Sequence, residues 1–319
     1  IRPFVIVFTS AKTLTSLRAN VALMQRVFTR RQFLKTAAAA VPVLTTLPQF
    51  AAEENTGGFR FVFLADLHFD KLEHHDMAWL QRLHPADVRQ VQDYSRITRD
   101  ILPRLFATVR DTITESNQPT SGRVALVAQT GDFVEGLCGS AELARRQDQE
   151  AIRFVREARL DVPFLFSKGN HDVTGDGAAD AYREVFHPFL SEEVRKLSPK
   201  AGELRTANYS IEHGDTLFAF FDAYDRESLD WLEALVTRRT ARHFFLAVHP
   251  PVVPYGARST WHLYSNARQR TQRDKLLDLL GRHEAIVLTG HLHKYSVLVR
   301  ATGKGRFLQL ALSSVVPAL

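Results

Sequence analysis

Five short segments hold most of the residues in this 319-residue chain that could do chemistry. They are Asp66-Leu67-His68, Gly131-Asp132, Gly169-Asn170-His171-Asp172, His249 and Gly290-His291-Leu292-His293. Together they offer enough oxygen and imidazole ligands for two metal ions, with one carboxylate to spare as a bridge. Hard oxygens offset the charge of divalent ions, and imidazoles bind them as borderline acids. Two such ions, about 3.5–4 Å apart, can clamp both ends of an in-line displacement at phosphorus and hold a hydroxide between them. Taken singly the signals are weak. An aspartate after a strand is commonly a turn or cap residue, and His249, before Pro250-Pro251, reads alone as a loop histidine. The ordered set, with GNHD in the middle, is specific.

The elements that must position these residues are legible beside them. Each segment follows a short apolar run of the kind that forms a buried strand, at 61–65, 124–128, 164–166, 244–248 and 286–288. Ligands presented from five strand ends converge only if those strands lie side by side, and open α/β architectures build their sites at strand ends. The 65 residues between Asp66 and Asp132 read as an inserted helical segment, helical over 86–117 with an interruption at Pro103. Further helices are expected at 141–159, 179–197, 229–239 and 267–282, and late strands at 208–212, 217–221, 296–299 and 307–312. Alternating strands and helices predict a layered α/β domain.

The ordered set resembles the calcineurin-like metallophosphoesterases, whose pattern is DxH, GDxx(D/E), GNH(D/E), H and GHxH, and the resemblance runs from Phe61 to Tyr295. It implies a four-layer αββα sandwich of two mixed β-sheets flanked by helices. It implies Asp66, His68, Asp132 and His293 as ligands of one ion, and Asp132, Asn170, His249 and His291 as ligands of the other, with Asp132 bridging. The two divalent ions could be Mn, Fe, Zn or Co, because such a ligand set does not choose among them. His171 then contacts the substrate phosphate or leaving oxygen, stabilising charge or donating a proton. Glu135 is expected to orient His171, with Asp172 in support. The implied activity is hydrolysis of a phosphomonoester or phosphodiester by attack of a metal-bridging hydroxide, on a small phosphoester substrate.

The alternative is a non-catalytic metal- or phosphate-binding protein on the same fold, which has no use for the complete set. A single-zinc hydrolase is disfavoured by the missing HExxH motif. Two departures narrow the class. Gly136 stands where phosphoprotein phosphatases carry the arginine of GDxxDRG, and Glu135 stands where purple acid phosphatases carry a tyrosine ligand. His74 and His75 have no place in the pattern and read as solvated loop histidines. Tyr295, Arg258, His262 and Tyr264 read equally as pocket lining or as surface and packing residues.

The formal charge of +6 belongs to the first 52 residues, which hold seven basic residues and no acid. The remaining 34 basic residues face 35 acidic ones, so no specific nucleic-acid binding is expected. That leader, residues 1–52, carries Thr29-Arg30-Arg31-Gln32-Phe33-Leu34-Lys35, which resembles the twin-arginine export signal (S/T)RRxFLK, followed by an apolar stretch and Ala51-Ala52. The domain proper is then 53–319, with Met24 as the natural start. Export in the folded state through the twin-arginine machinery, to a periplasmic or extracytoplasmic location, is the expectation. Gln49 and Phe50 are poor cleavage-site residues, and membrane attachment follows only if the leader stays uncleaved. The single cysteine, Cys138, forbids an intrachain disulfide. The apolar run 310–319 at the chain end leads us to expect a missing C-terminal segment.

Overall fold

The computed structural model describes residues 6–8, 60–117, 123–254 and 261–315. The twin-arginine segment, Met24, the cleavage region and Arg258 lie outside them. Two sheets organise the chain. The first has the order β1-β2-β3-β4, formed by Ile6–Phe8, Arg60–Leu64, Val124–Gln129 and Phe164–Phe166. Strands β2, β3 and β4 run parallel, and β1 pairs antiparallel with β2. The second has the order β5-β6-β7-β8-β10-β9. Its strands are β5 (Tyr209–His213), β6 (Thr216–Phe221), β7 (His243–Val248), β8 (Ile286–Thr289), β9 (Ser296–Thr302) and β10 (Gly305–Ala311). The sheets are mixed and flanked by helices, as the motif order implies. The ligand-bearing strands lie side by side within each sheet but are divided between two, so the site spans both.

Side-chain alternation along the second sheet explains the layering. Phe218, Phe220, Phe245, Ala247, Ile286, Leu288, Leu308 and Leu310 enter the core shared with the first sheet. Their neighbours Leu217, Ala219, Phe221, Phe244, Leu246, Val248, Val287 and Phe307 enter a second core. The period of two sends successive residues to opposite faces. Helices α7 (Ser228–Thr237) and α8 (Arg270–Arg282) close that second core through Leu229, Leu232, Leu276 and Leu280. Between the sheets, Phe61 meets Phe218 and Phe245 edge-on at 5.0 and 5.1 Å, contacts worth about 0.5–1.5 kcal/mol each beyond burial. Edge strand β4 is covered rather than bare. The Tyr209 hydroxyl donates to Phe166 O and accepts from Phe166 N, while Glu193 accepts from Phe164 N.

The segment between Asp66 and Asp132 holds α1 (Met77–Leu83), α2 (Val88–Asp100) and α3 (Leu102–Ser116). Pro103 sits in the first turn of α3, where its missing N–H costs nothing, so the expected interruption becomes a helix start. Helix α4 (Ala141–Glu157) begins at Ser140, whose hydroxyl accepts from Leu143 N. The helix expected over 179–197 divides into α5 (Ala178–Ala181), a π turn (Tyr182–Phe186) and α6 (His187–Leu197). Pro188 is the reason: in a regular helix its ring would meet the Glu184 carbonyl, and the wider turn relieves that contact. Among the described residues no helix is long and apolar enough to cross a membrane.

Candidate metal centre

Each ligand motif sits just past the C-terminal end of a strand, and the backbone there bends sharply. Asp66, His68, Asp132, His291 and His293 all have positive φ, between 45° and 70°. Asp and His tolerate that left-handed region better than most residues, yet each such residue stores roughly 1–3 kcal/mol. The surrounding loops hold them there. His68 N donates to Asp132 O, and Phe69 N to Phe133 O. Asp172 accepts from Phe133 N, Val134 N and Gly169 N at 2.8, 3.0 and 2.7 Å. One carboxylate therefore ties the Gly131 loop to the Gly169 loop. The motif glycines allow the close approach. A Cβ on Gly169 would lie 2.1 Å from Asp132 N, and one on Gly290 2.2 Å from Asp66 Oδ2.

The functional side chains meet in three overlapping groups, one of them His68, Glu135 and His171, and the other two join the expected metal ligands. Asp66, His68, Asp132 and His293 form one, and Asp132, His249 and His291 form the other. Asp132 is common to both, with Oδ2 3.0 Å from His249 Nε2 and 3.8 Å from His68 Nε2. Asn170 joins the second group through Oδ1, 3.1 Å from His249 Nε2. His249 Nδ1 donates to Thr130 O at 2.8 Å, and His68 Nδ1 to Glu135 Oε2 at 2.8 Å. The His68 ring therefore turns an Nε2 lone pair inward, and His249 Nε2 points into the cluster toward Asp132. His68 Nε2 and His293 Nε2 come within 3.1 Å, and His291 Nδ1 lies 3.0 Å from His249 Nε2. Inward lone pairs at such distances need a cation or a shared proton between them.

Electrostatics favour the same reading. Burial pushes His68, His291 and His293 down to about 3, so these imidazoles are neutral and open to a metal. Burial, helped by Asp132, pushes Asp66 up to about 7. Asp132 lies well below the carboxylate range, because His249 and His171 outweigh its burial. His171 and His249 are pulled down by burial, but nearby carboxylates carry both up to about 9, so His249 holds a proton that a bound metal would displace. Asp66 Oδ2 is buried and has no hydrogen-bond partner, although Oδ1 accepts from His291 N at 2.7 Å. An orphaned carboxylate oxygen beside neutral imidazoles is a donor set that fits divalent cations.

Two expectations change here. Glu135 keeps the expected pairing with His171 but engages His68 more closely. Its Oε2 stands 2.8 Å from His68 Nδ1 and 3.5 Å from His171 Nδ1, and its Oε1 accepts from Gln90 Nε2. The tautomer of His171 is instead fixed by the Glu135 backbone carbonyl, which accepts from Nδ1 at 2.8 Å. His74 and His75 are buried, not solvated. His75 lies between Asp70 Oδ1 at 2.7 Å and Leu137 O at 3.0 Å. Asp70 also accepts from Gln147 and Ser95, which buries it without leaving its charge unpaired.

Helix α2 supplies residues that motif reading missed. Tyr94 stacks on the His68 ring at 4.3 Å and 5°, Gln90 holds Glu135, and Thr98 accepts from Asp70 N. Their four-residue spacing, 90, 94 and 98, marks one helix face, a signal present in the sequence but polar enough to pass for solvent-facing. Trp261, packed at a tilt against His291 at 4.3 Å, was also missed. Of the other candidates, Tyr295 is exposed, His262 is half-buried, and Tyr264 packs against the second core.

The family model for calcineurin-like phosphoesterases matches residues 59–295, about three quarters of the chain. The chain belongs to the calcineurin-like phosphoesterases. Its fold is similar to a dimetal phosphatase from Danio rerio, with a TM-score of 0.52 and 15% identity, covering 81% of this chain and 88% of that one. It is also similar to PhoD, with a TM-score of 0.43 and 13% identity, covering 66% of this chain and 53% of PhoD. The chain thus spans about half the length of PhoD. No curated protein matches the chain's sequence. The calcineurin-like family and the two overlapping ligand groups fit a dinuclear metal site.

Proposed function

We propose that this calcineurin-like phosphoesterase is an exported dinuclear-metal hydrolase of small phosphomonoesters or phosphodiesters. The observation that carries the dinuclear reading is Asp132, one carboxylate shared by two converging ligand groups. Asp66, His68, Asp132 and His293 would hold one ion, and Asp132, Asn170, His249 and His291 the other. When bound, such a pair supplies Lewis acidity toward the phosphoryl oxygens and lowers the pKa of water. The remaining work falls to the chain. The Glu135 carboxylate and the Thr130 carbonyl fix the tautomers of His68 and His249. Asp172 holds the Gly169 loop so that Asn170 and His171 face the same opening. A carbonyl only accepts, so His171 Nδ1 carries hydrogen, which leaves Nε2 as the nitrogen free for the substrate. We assign that nitrogen to the leaving oxygen, where it holds a proton for departure.

Reconstituting the full chain with Mn²⁺ and assaying p-nitrophenyl phosphate beside bis-p-nitrophenyl phosphate tests this. Two metals per chain with metal-dependent release are expected, and the ratio between substrates chooses monoesterase or diesterase. A chain that binds no metal would overturn the reading, and two metals without turnover would favour a binding protein. The export reading rests on Thr29–Lys35 in the sequence alone. Exchanging Arg30 and Arg31 for lysine should hold the precursor in the cytoplasm; unimpaired export would refute the twin-arginine route.

A further inference from the structure

Among the described residues, the large aromatic side chains that face solvent follow three neighbouring strands of the second sheet. They are Tyr224, Trp261 and Tyr295, exposed by 41%, 44% and 46%. All three lie on the loops that follow β6, β7 and β8, three strands that neighbour one another in parallel. The loops after β7 and β8 also carry His249, His291 and His293. Exposed aromatic surface is unfavourable in water, and its concentration beside a polar cluster marks a ligand site.

Trp261 is the most telling of the three. One side of its indole rests on the His291 ring, centroid to centroid 4.3 Å, tilted 35°. The indole is thereby fixed in place against a residue of the metal cluster while much of it stays open to solvent. A planar group stacked on its outer side would lie a further ~4.5–7 Å out. Its centre would then stand roughly 9–11 Å from the His291 ring. Tyr224 lies on the neighbouring loop. Its ring lies 6.0 Å from Lys168 Nζ, a cation that also pairs with Asp222.

We propose that Trp261 is a stacking platform for the leaving group, and that the substrate is a small phosphoester whose alcohol carries a flat aromatic or heteroaromatic ring. This rests on the phosphoesterase reading above and narrows it. The near-neutral balance of charge beyond the leader favours a small substrate over a long polyanion.

The test uses the metal-loaded full chain with adenosine monophosphate and glycerol 3-phosphate, comparing wild type with Trp261→Leu and Trp261→Phe. Leucine keeps an apolar contact with His291 but cannot stack; phenylalanine can. Stacking of a base on an aromatic side chain predicts that Trp261→Leu lowers the ratio of kcat/KM for the nucleotide over glycerol 3-phosphate at least about fivefold. The loss should appear mainly in KM, and Trp261→Phe should recover most of it. An unchanged ratio in Trp261→Leu overturns the proposal. If the wild type hydrolyses neither compound, the monoesterase reading fails separately while the diesterase reading stands, and calorimetric binding of the same two compounds decides. Tighter binding of the nucleotide that Trp261→Leu abolishes supports the platform, and equal affinities refute it.

Discussion

Glu135→Gln separates two roles for one buried carboxylate. In the structure Glu135 is fully buried, accepting from His68 Nδ1 at 2.8 Å and from Gln90 Nε2 at 2.7 Å. Its Oε2 is 3.5 Å from His171 Nδ1, which already donates to the Glu135 carbonyl. Glutamine keeps the shape and one acceptor oxygen, and the Gln90 amide can turn over to meet the new NH₂ group. The loss is then chiefly the charge assistance of the bond to His68. Charge-assisted bonds contribute about 1.5–3 kcal/mol against about 0.5–1.5 for neutral ones. A deficit of about 1–1.5 kcal/mol corresponds to about a tenfold fall in metal affinity, at the low end of what partners of metal-ligating histidines contribute. Competition between the protein and a chelator for Mn²⁺ measures it directly. Glu135→Ala should be worse, since it leaves the buried His68 Nδ1 donor unpaired at about 1–3 kcal/mol and frees the half-buried Gln90 amide. Wild-type metal affinity in Glu135→Gln, accompanied by a selective loss of kcat on substrates with poor leaving groups, would show that the carboxylate serves His171 and would refute the assignment to His68.

His171→Ala should keep both metals and lose turnover by about 10²-fold or more; elemental analysis showing lost metal would make it a ligand instead. Gly290→Ala would set a Cβ 2.2 Å from Asp66 Oδ2, so it should reduce bound metal while the circular dichroism spectrum stays native; full metal content would mean the loop yields easily. Glu150, bonded to Lys71 and Arg146, is held down at about 2 because these partners outweigh its partial burial. A depressed carboxylate stabilises the fold above its unfolded value of about 4.5, and the contribution is lost as pH falls toward about 2. The Tm gap between wild type and Glu150→Gln should therefore be present at pH 6 and shrink below pH 4.5; a gap that does not vary with pH would contradict this.

The sequence by itself determined the ligand types, their order and their attachment to strand ends. That information is local: an apolar run ending in Asp, Asn or His states both the strand and the turn that presents the residue. Pro103 likewise announced the break between α2 and α3, because a missing N–H and a ring clash act within one helical turn. What only tertiary structure decided are relations between distant segments. Sheet partition is one: β10 inserts between β8 and β9, and nothing in its own composition names those neighbours. The partner of Glu135 is another. The motif placed it three residues from Asp132, but α2, brought over the site by the long insertion, supplied Gln90 and Tyr94 and drew the carboxylate to His68. His75 looked like a solvated residue because its acceptors, Asp70 Oδ1 and Leu137 O, include one 62 residues away. Hydrogen-bond partners and burial are set by which surfaces meet, and that is settled when the two sheets pack, not by the order of residues along either one.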